Sequence, residues 1–168
     1  HPFDGTITIN ETRMDEDRMT VLSCLTFIGH RDGGASTLTA RENLRFWADT
    51  RSGKTTISDV TIQEALAVFG MERSADTPLY MMSEGQRKRC GLARLMLVDG
   101  AVHSNTGAHH GKVWLLDEPL TALDKASIDA TLAVINRFTD AGGTAVIATH
   151  HDMDLTHGDV MQLAGAGQ

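Results

Sequence analysis

The sequence predicts an α/β domain built on a parallel sheet with helices set beside it, and three observations predict it. Between residues 113 and 148 a short apolar strand pattern, a helical pattern and a second apolar strand pattern follow one another, the βαβ order that puts two strands parallel in one sheet. Ahead of that unit, residues 39–97 carry three helix-start signals: Thr39 with Glu42, Thr61 with Glu64, and Ser83 with Gln86. The third observation is size. A chain of 168 residues makes one domain, burying roughly 70% of the surface that its unfolded form exposes, and is too short for two.

Composition narrows the class further. The chain is 41% apolar and 22% charged, with three Pro, which is ordinary for a folded domain and unlike disordered or collagenous chains. Its 22 acidic against 15 basic residues give a net charge of −7. That balance lacks the basic footprint of a nucleic-acid binder and the polybasic patch that anionic lipid attracts. Cys24 and Cys90 stand alone, without metal-ligand or redox spacing, and suit a reducing compartment. No apolar run reaches the roughly 18 residues of a membrane span. The first residue is His1, and its neighbours have neither the basic start nor the apolar stretch of a signal peptide; a segment upstream is expected.

The elements follow in order. Thr6 to Ile9 alternates polar and apolar after Gly5, the period of a half-buried strand. A charged stretch from Glu11 to Arg18 leads to an apolar run, Val21 to Ile28, whose last part reads as a buried strand ending at Gly29. Thr39 and Glu42 form a capping box for a helix through Leu44 and Trp47, each side chain satisfying a backbone donor that the other leaves open. Thr61 and Glu64 form a second box ahead of Ile62, Ala65, Leu66 and Phe69, with Gly70 as the stop. Ser83 opens a third helix, rich in Arg and Lys. Asp99 to Lys112, with three Gly and three His, reads as an exposed loop. Val113 to Leu116 is then a strand, Asp124 caps a helix using Ile128, Leu132 and Ile135, Gly142 and Gly143 end it, and Ala145 to Ala148 is the last strand.

Four groups of residues carry chemistry. Asp117 and Glu118 follow an apolar strand and so stand at the ligand edge of a parallel sheet. There one acid can hold magnesium while its neighbour polarises an attacking water. Met82-Ser83-Glu84-Gly85-Gln86 puts a serine and a glycine at a helix N-terminus, where backbone N–H groups and the helix dipole favour an anion. Thr121-Ala122-Leu123-Asp124 follows the strand-end acids, and Thr149-His150 follows the next strand. Each has a plainer reading as a turn, a capping box or a surface histidine. Their order in one chain is what gives them weight together.

In that order they resemble the ATP-binding subunit of ABC transporters. Ser83 to Gln86 is similar to the signature motif, Val113 to Glu118 to Walker B with the catalytic glutamate, Thr121 to Asp124 to the D-loop, and His150 to the switch histidine. Phe27-Ile28-Gly29-His30, Leu38 to Trp47, the Trp before Leu-Leu-Asp-Glu-Pro and the arginine-rich signature helix resemble the haem-exporter ATPases of cytochrome c maturation within that family. The resemblance implies a truncated P-loop NTPase of the ABC ATPase type, with a helical and signature part over about 39–97 and a Walker B to switch-histidine core over about 111–168. It implies ATP and Mg²⁺ as ligands, with Glu118 activating water, His150 bonding the γ-phosphate and Asp117 holding the metal. Ser83, Gly85 and Gln86 would meet the nucleotide of a second copy packed head to tail, with Asp124 organising the interface. An integral membrane permease would be the other partner, and the chain would sit peripherally on the cytoplasmic face of the inner membrane without entering it.

The sequence also departs from the family. The phosphate loop G-x-x-x-x-G-K-[ST] is absent: Ser52-Gly53-Lys54-Thr55-Thr56 imitates its end, but Ala48 stands where the first glycine is needed. A strand, phosphate loop and helix of roughly 30 residues are expected upstream, and the 168 residues without them are expected to be inactive as an ATPase. Arg31 occupies the Q-loop position, and arginine neither accepts a hydrogen bond nor ligates magnesium. Met82 and Glu84 replace a Leu and a small residue. The expected function is therefore the ATPase of an ABC exporter, of haem for cytochrome c biogenesis. The alternatives are the ATPase of a drug, polysaccharide or lipid exporter, or a non-hydrolytic regulatory module. Neither heptads nor paired cysteines point to the chromosome and repair ATPases of the superfamily.

Overall fold

The computed structural model describes residues 5–30, 33–52, 57–97 and 109–162. It begins with a small antiparallel hairpin of β1 (Thr8–Ile9) and β2 (Thr12–Arg13). The turn between them, Asn10 and Glu11, has φ of 50° and 64°, the left-handed pair that matches the twist of a two-residue hairpin loop. The expected strand over Thr6 to Ile9 is thus only two residues long, and the charged stretch after it supplies its partner. The side-chain amide of Asn10 ties the hairpin to Gly111 O at 2.9 Å. Helix α1 (Arg18–Cys24) follows, capped by Asp17, whose carboxylate accepts from Thr20 N–H at 3.1 Å. It runs directly into β3 (Leu25–Ile28). The apolar run from Val21 is therefore half helix and half strand.

Three further helices pack on one another. Helix α2 (Ala40–Ser52) starts at the expected box: Thr39 N–H donates to Glu42 Oε2 at 2.8 Å, and Glu42 N–H donates to Thr39 Oγ1 at 3.2 Å. Helix α3 (Asp59–Val68) starts three residues before the expected box. Ser58 is its cap, accepting from Thr61 N–H at 3.1 Å, so Thr61 lies inside the first turn. Gly70, with φ of 63°, ends it. Helix α4 (Glu84–Ala93) has the expected box of Ser83 and Gln86 and passes into a 3₁₀ turn over Arg94–Leu97. Leu44, Ile62, Leu66, Leu92 and Leu95 are fully buried between these helices. Asn43, also buried, pins the connection into α2: its amide donates to the carbonyls of Ala35, Leu38 and Thr39 and accepts from Ala35 N–H.

The sheet is β3, β4 (Val113–Asp117) and β5 (Thr144–Ala148), parallel and in that order. Helix α5 (Lys125–Asp140) links β4 to β5, as the βαβ reading expects. It ends where the glycines put it. Gly142 N–H bonds Thr139 O at 2.9 Å and Gly143 N–H bonds Phe138 O at 3.0 Å, the paired bonds of a Schellman ending. Thr26, Ile28, Trp114 and Leu116 line the covered face of the sheet. Trp114 lies stacked on Phe138 of α5, ring centres 3.7 Å apart. The opposite face carries the row Phe27, Leu115 and Val146, and Phe27 and Val146 are 65% and 55% exposed. On α5 the buried stripe is Ser127, Thr131, Val134, Ile135 and Phe138. Of the three residues expected there, Ile135 is buried while Ile128 and Leu132 flank the stripe.

One expectation of an exposed loop needs correction. Residues 98–108, with His103, lie outside the described residues, but His109 is 3% exposed, its ring 5.1 Å from that of Phe138. The imidazole fills space beside the Trp114 stack. The end of that segment is part of the core.

Candidate functional site

Strand β4 ends at Asp117, and the chain turns sharply at the next residue. Glu118 has φ of 48°, a left-handed conformation costing a residue with a Cβ roughly 1–2 kcal/mol, and it precedes Pro119, which disfavours helical backbone before it. The turn is held by Glu118 N–H donating to Ala148 O at 2.8 Å, one rung beyond the Asp117–Ala148 pair. It sends the Glu118 carboxylate across the ends of β4 and β5. Oε1 accepts from His150 N–H at 3.1 Å and lies 2.8 Å from His150 Nδ1. Oε2 accepts from the hydroxyls of Thr121 at 3.3 Å and Thr149 at 3.4 Å. The His150 contact foremost, against the opposing effect of burial, holds the Glu118 carboxyl below the usual carboxylate range. It is ionised at neutral pH. Its side chain is 21% exposed and that of His150 is 72% exposed, so the acid is set back and the imidazole stands forward.

Asp117 faces a different space. It lines a cavity of about 420 Å³ with Phe27, Ile28, Gly29, His30, Gly33 and Arg94. Its carboxylate makes no hydrogen bond among the described residues. An uncommitted oxygen donor at a strand end fits a hard cation such as Mg²⁺, which takes one or two carboxylates and keeps water on its other positions.

The signature residues gather at the start of α4. Ser83 Oγ accepts from Gln86 N–H at 3.2 Å, and Gln86 Oε1 accepts from Ser83 N–H at 2.9 Å. The hydroxyl proton of Ser83 is left uncommitted among the described residues. Gly85 lies against the segment after Glu118: a Cβ there would sit 2.7 Å from the carbonyl oxygen of Ala122, whose own φ is 63°. Asp124 caps α5, accepting from Ser127 N–H at 2.8 Å. Hydrogen bonding to Ser127, through its side chain first and its backbone second, lowers the Asp124 pKa, with the charge of Arg89 on α4 a smaller contribution. So Glu118, His150, Thr121 and Thr149 form one cluster, and Gly85 with the 121–124 segment forms a second contact. Arg31 lies outside the described residues, as do Gly53 to Thr56.

Sequence reasoning missed the two threonines that clasp Oε2, and it missed His151, whose ring centre is 4.1 Å from that of His150. Thr121 and Thr149 were within motifs already singled out. Nothing in their spacing, 28 residues apart in sequence, says that they meet at one carboxylate.

Acids after one parallel strand and a histidine after its neighbour place three polar side chains at the carboxyl edge of an α/β sheet, where such domains bind their ligands. The ABC transporter family profile matches residues 1–121, and the chain belongs to that family. Within it, the chain is 38% identical over 139 residues to the cytochrome c biogenesis ATP-binding export protein CcmA of Paracoccus denitrificans, covering 83% of this chain and 58% of that protein. It is 36% identical over 154 residues to the protein of the same name from Paramagnetospirillum magneticum, covering 92% and 66%. This chain therefore spans under two thirds of the length of either. A dimeric ATP-binding cassette solved in a post-hydrolysis state with ADP and Pi superposes with a TM-score of 0.68 at 22% identity, over 89% of this chain and 64% of that one. That likeness shows the ABC ATPase fold.

Proposed function

We propose that this chain is the larger part of an ATP-binding and ATP-hydrolysing subunit of an ABC transporter that exports haem for cytochrome c biogenesis. The observation that carries the reading is the ionised Glu118 carboxylate, clasped by His150 at the end of the strand that also ends in Asp117. The names of the relatives, which are ATP-binding export proteins of cytochrome c biogenesis, support ATP-driven export and the pathway it serves.

In this reading the four bonds to Glu118 keep it deprotonated and aimed, so that one oxygen accepts the proton of the attacking water. The exposed His150 side chain donates to the γ-phosphate of ATP as charge develops there. Asp117 holds Mg²⁺, which when bound offsets charge on the phosphates. Ser83, Gly85 and Gln86 serve the nucleotide of a second copy: the free hydroxyl proton of Ser83 donates to its γ-phosphate, as the N-terminus of α4 favours an anion. Asp124 and the 121–124 segment, packed on Gly85, carry signals between the two sites. The segment from Arg31 to about Thr61 meets an integral membrane permease, residues of about 39–97 form the helical and signature part, residues of about 111–168 form the hydrolytic core, and Arg31 takes the Q-loop position. The subunit works at the cytoplasmic face of the inner membrane, without inserting into it, and the phosphate loop comes from a preceding segment.

The test is Glu118→Gln in the full-length subunit. General-base assistance is worth about 10²–10⁴ in rate, so hydrolysis falls by at least about 10²-fold while ATP binding persists. Turnover close to that of the unaltered protein would remove Glu118 from its role.

A further inference from the structure

We infer that Glu118, His150 and His151 form a binding site for a divalent transition cation of borderline softness, Zn²⁺ being the type, separate from the oxygen site of Asp117. The three side chains each offer one ligand atom, and these atoms lie within 4.8 Å of one another. Two imidazoles and one carboxylate are the donor set of zinc and its first-row neighbours, whereas Mg²⁺ takes oxygen. The donors are near one another but not at tetrahedral angles, so the two exposed imidazoles turn to close the set around an ion. Glu118 Oε1 and His150 Nδ1 are 2.8 Å apart, and two ligands at that separation with bonds of about 2.05 Å subtend about 85° at the metal. The ion takes the place of the proton that Oε1 and Nδ1 share.

The site is also supported from behind and open in front. The hydroxyls of Thr121 and Thr149 hold Glu118 Oε2, the kind of outer contact that orients a ligating carboxylate. The Thr149 hydroxyl also accepts from His151 N–H at 3.1 Å, so one side chain steadies two of the ligands. Both histidines are exposed, which gives an ion an entry path and leaves its outer positions to water. His151 has no part in the proposed hydrolysis. Its presence beside His150 turns a two-residue contact into a three-ligand set.

If Glu118 and His150 act as proposed above, a bound ion occupies both and stops turnover, so this site is a brake on the engine. The binding itself does not depend on that reading, and its test uses neither nucleotide nor turnover. The 168-residue chain is titrated with Zn²⁺ alone by calorimetry. The expected result is one site that Mg²⁺ does not compete for, weakened at least about tenfold by His151→Ala, retained by His151→Cys, whose thiolate also ligates zinc, and unchanged by His157→Ala. Because His103 and His110 could bind the ion instead, the doubly substituted His103→Ala, His110→Ala chain is titrated too, and it keeps the affinity. Undiminished binding in His151→Ala, or loss of binding in the chain lacking His103 and His110, overturns the proposal.

Discussion

Among the described residues, the helical part closes on itself and the sheet does not. Between α2, α3 and α4 the side chains of Leu44, Ile62, Ala65, Leu66, Leu92 and Leu95 are removed from water altogether. The described residues cover the sheet on one face only, where α5 packs through the stack of Trp114 on Phe138. Its other face shows Phe27 and Val146 to solvent. Both regions are apolar in sequence, so the hydrophobic pattern does not distinguish them. What separates them is whether the described residues supply the opposing layer. Stability should therefore be concentrated in the helices and in the covered face, while the open face contributes little by its own side chains.

Deletions of comparable apolar bulk in the two regions test this most directly. Leu66→Ala, at a fully buried site, is expected to cost about 2–5 kcal/mol, the range for emptying a core position, measured by urea unfolding. Next comes Gly143→Ala. Its Cβ would fall 2.3 Å from Cζ of Phe138, a ring already held against Trp114, so the overpacking should cost about 1–3 kcal/mol on the covered side of the sheet. Ser83→Ala removes the cap of α4 and should cost about 1 kcal/mol, whereas Ser83→Asp should cost much less. Phe27→Ala should change stability by no more than about 0.5 kcal/mol, as exposed substitutions do. A loss of several kcal/mol there would mean that the open face is covered in solution.

Acid should act on the helical part through a different route. The Glu42 pKa is lowered by bonds from Thr39, and the Asp76 pKa is lowered by the Arg41 guanidinium, 2.8 Å away. A carboxyl with a depressed folded pKa lends stability that is fully present above its unfolded pKa, about 4, and is lost as pH falls through the folded value. The melting temperature should thus decline below about pH 4, and Glu42→Gln, which keeps the box but not the charge, should flatten part of that decline. An identical profile in the two proteins would show that Glu42 does not contribute to it.

The sequence makes the helix starts legible because each is a local exchange between a side chain and backbone donors three residues on. Thr39, Ser83 and Asp124 all cap as read. Ser58 was missed since Thr61 with Glu64 offers the same pattern one turn later. The strands at 25–28, 113–117 and 144–148 were visible as short apolar runs, the first with a glycine stop. The helix over Arg18–Cys24 was not, because Val21 to Ile28 is apolar throughout and periodicity alone does not divide such a run. The hairpin was hidden by Glu11, an unusual residue for a left-handed turn position. Of the site, the motif order exposed Asp117, Glu118 and His150. The clasp on Oε2 and the approach of His151 depend on how β4 and β5 align, which no local pattern encodes.

Strand β5 has one further property. Among the described residues it pairs with β4 alone, so its second border presents amide and carbonyl groups in a row with no ladder to complete. Such a border is a template for any extended peptide that reaches it. Here it adjoins an oily surface bearing Phe27 and Val146. Kept in concentrated solution without a strand to dock there, the polypeptide would be expected to stick to its own copies along that seam, and a short added β-segment should act as a solubiliser rather than as a ligand.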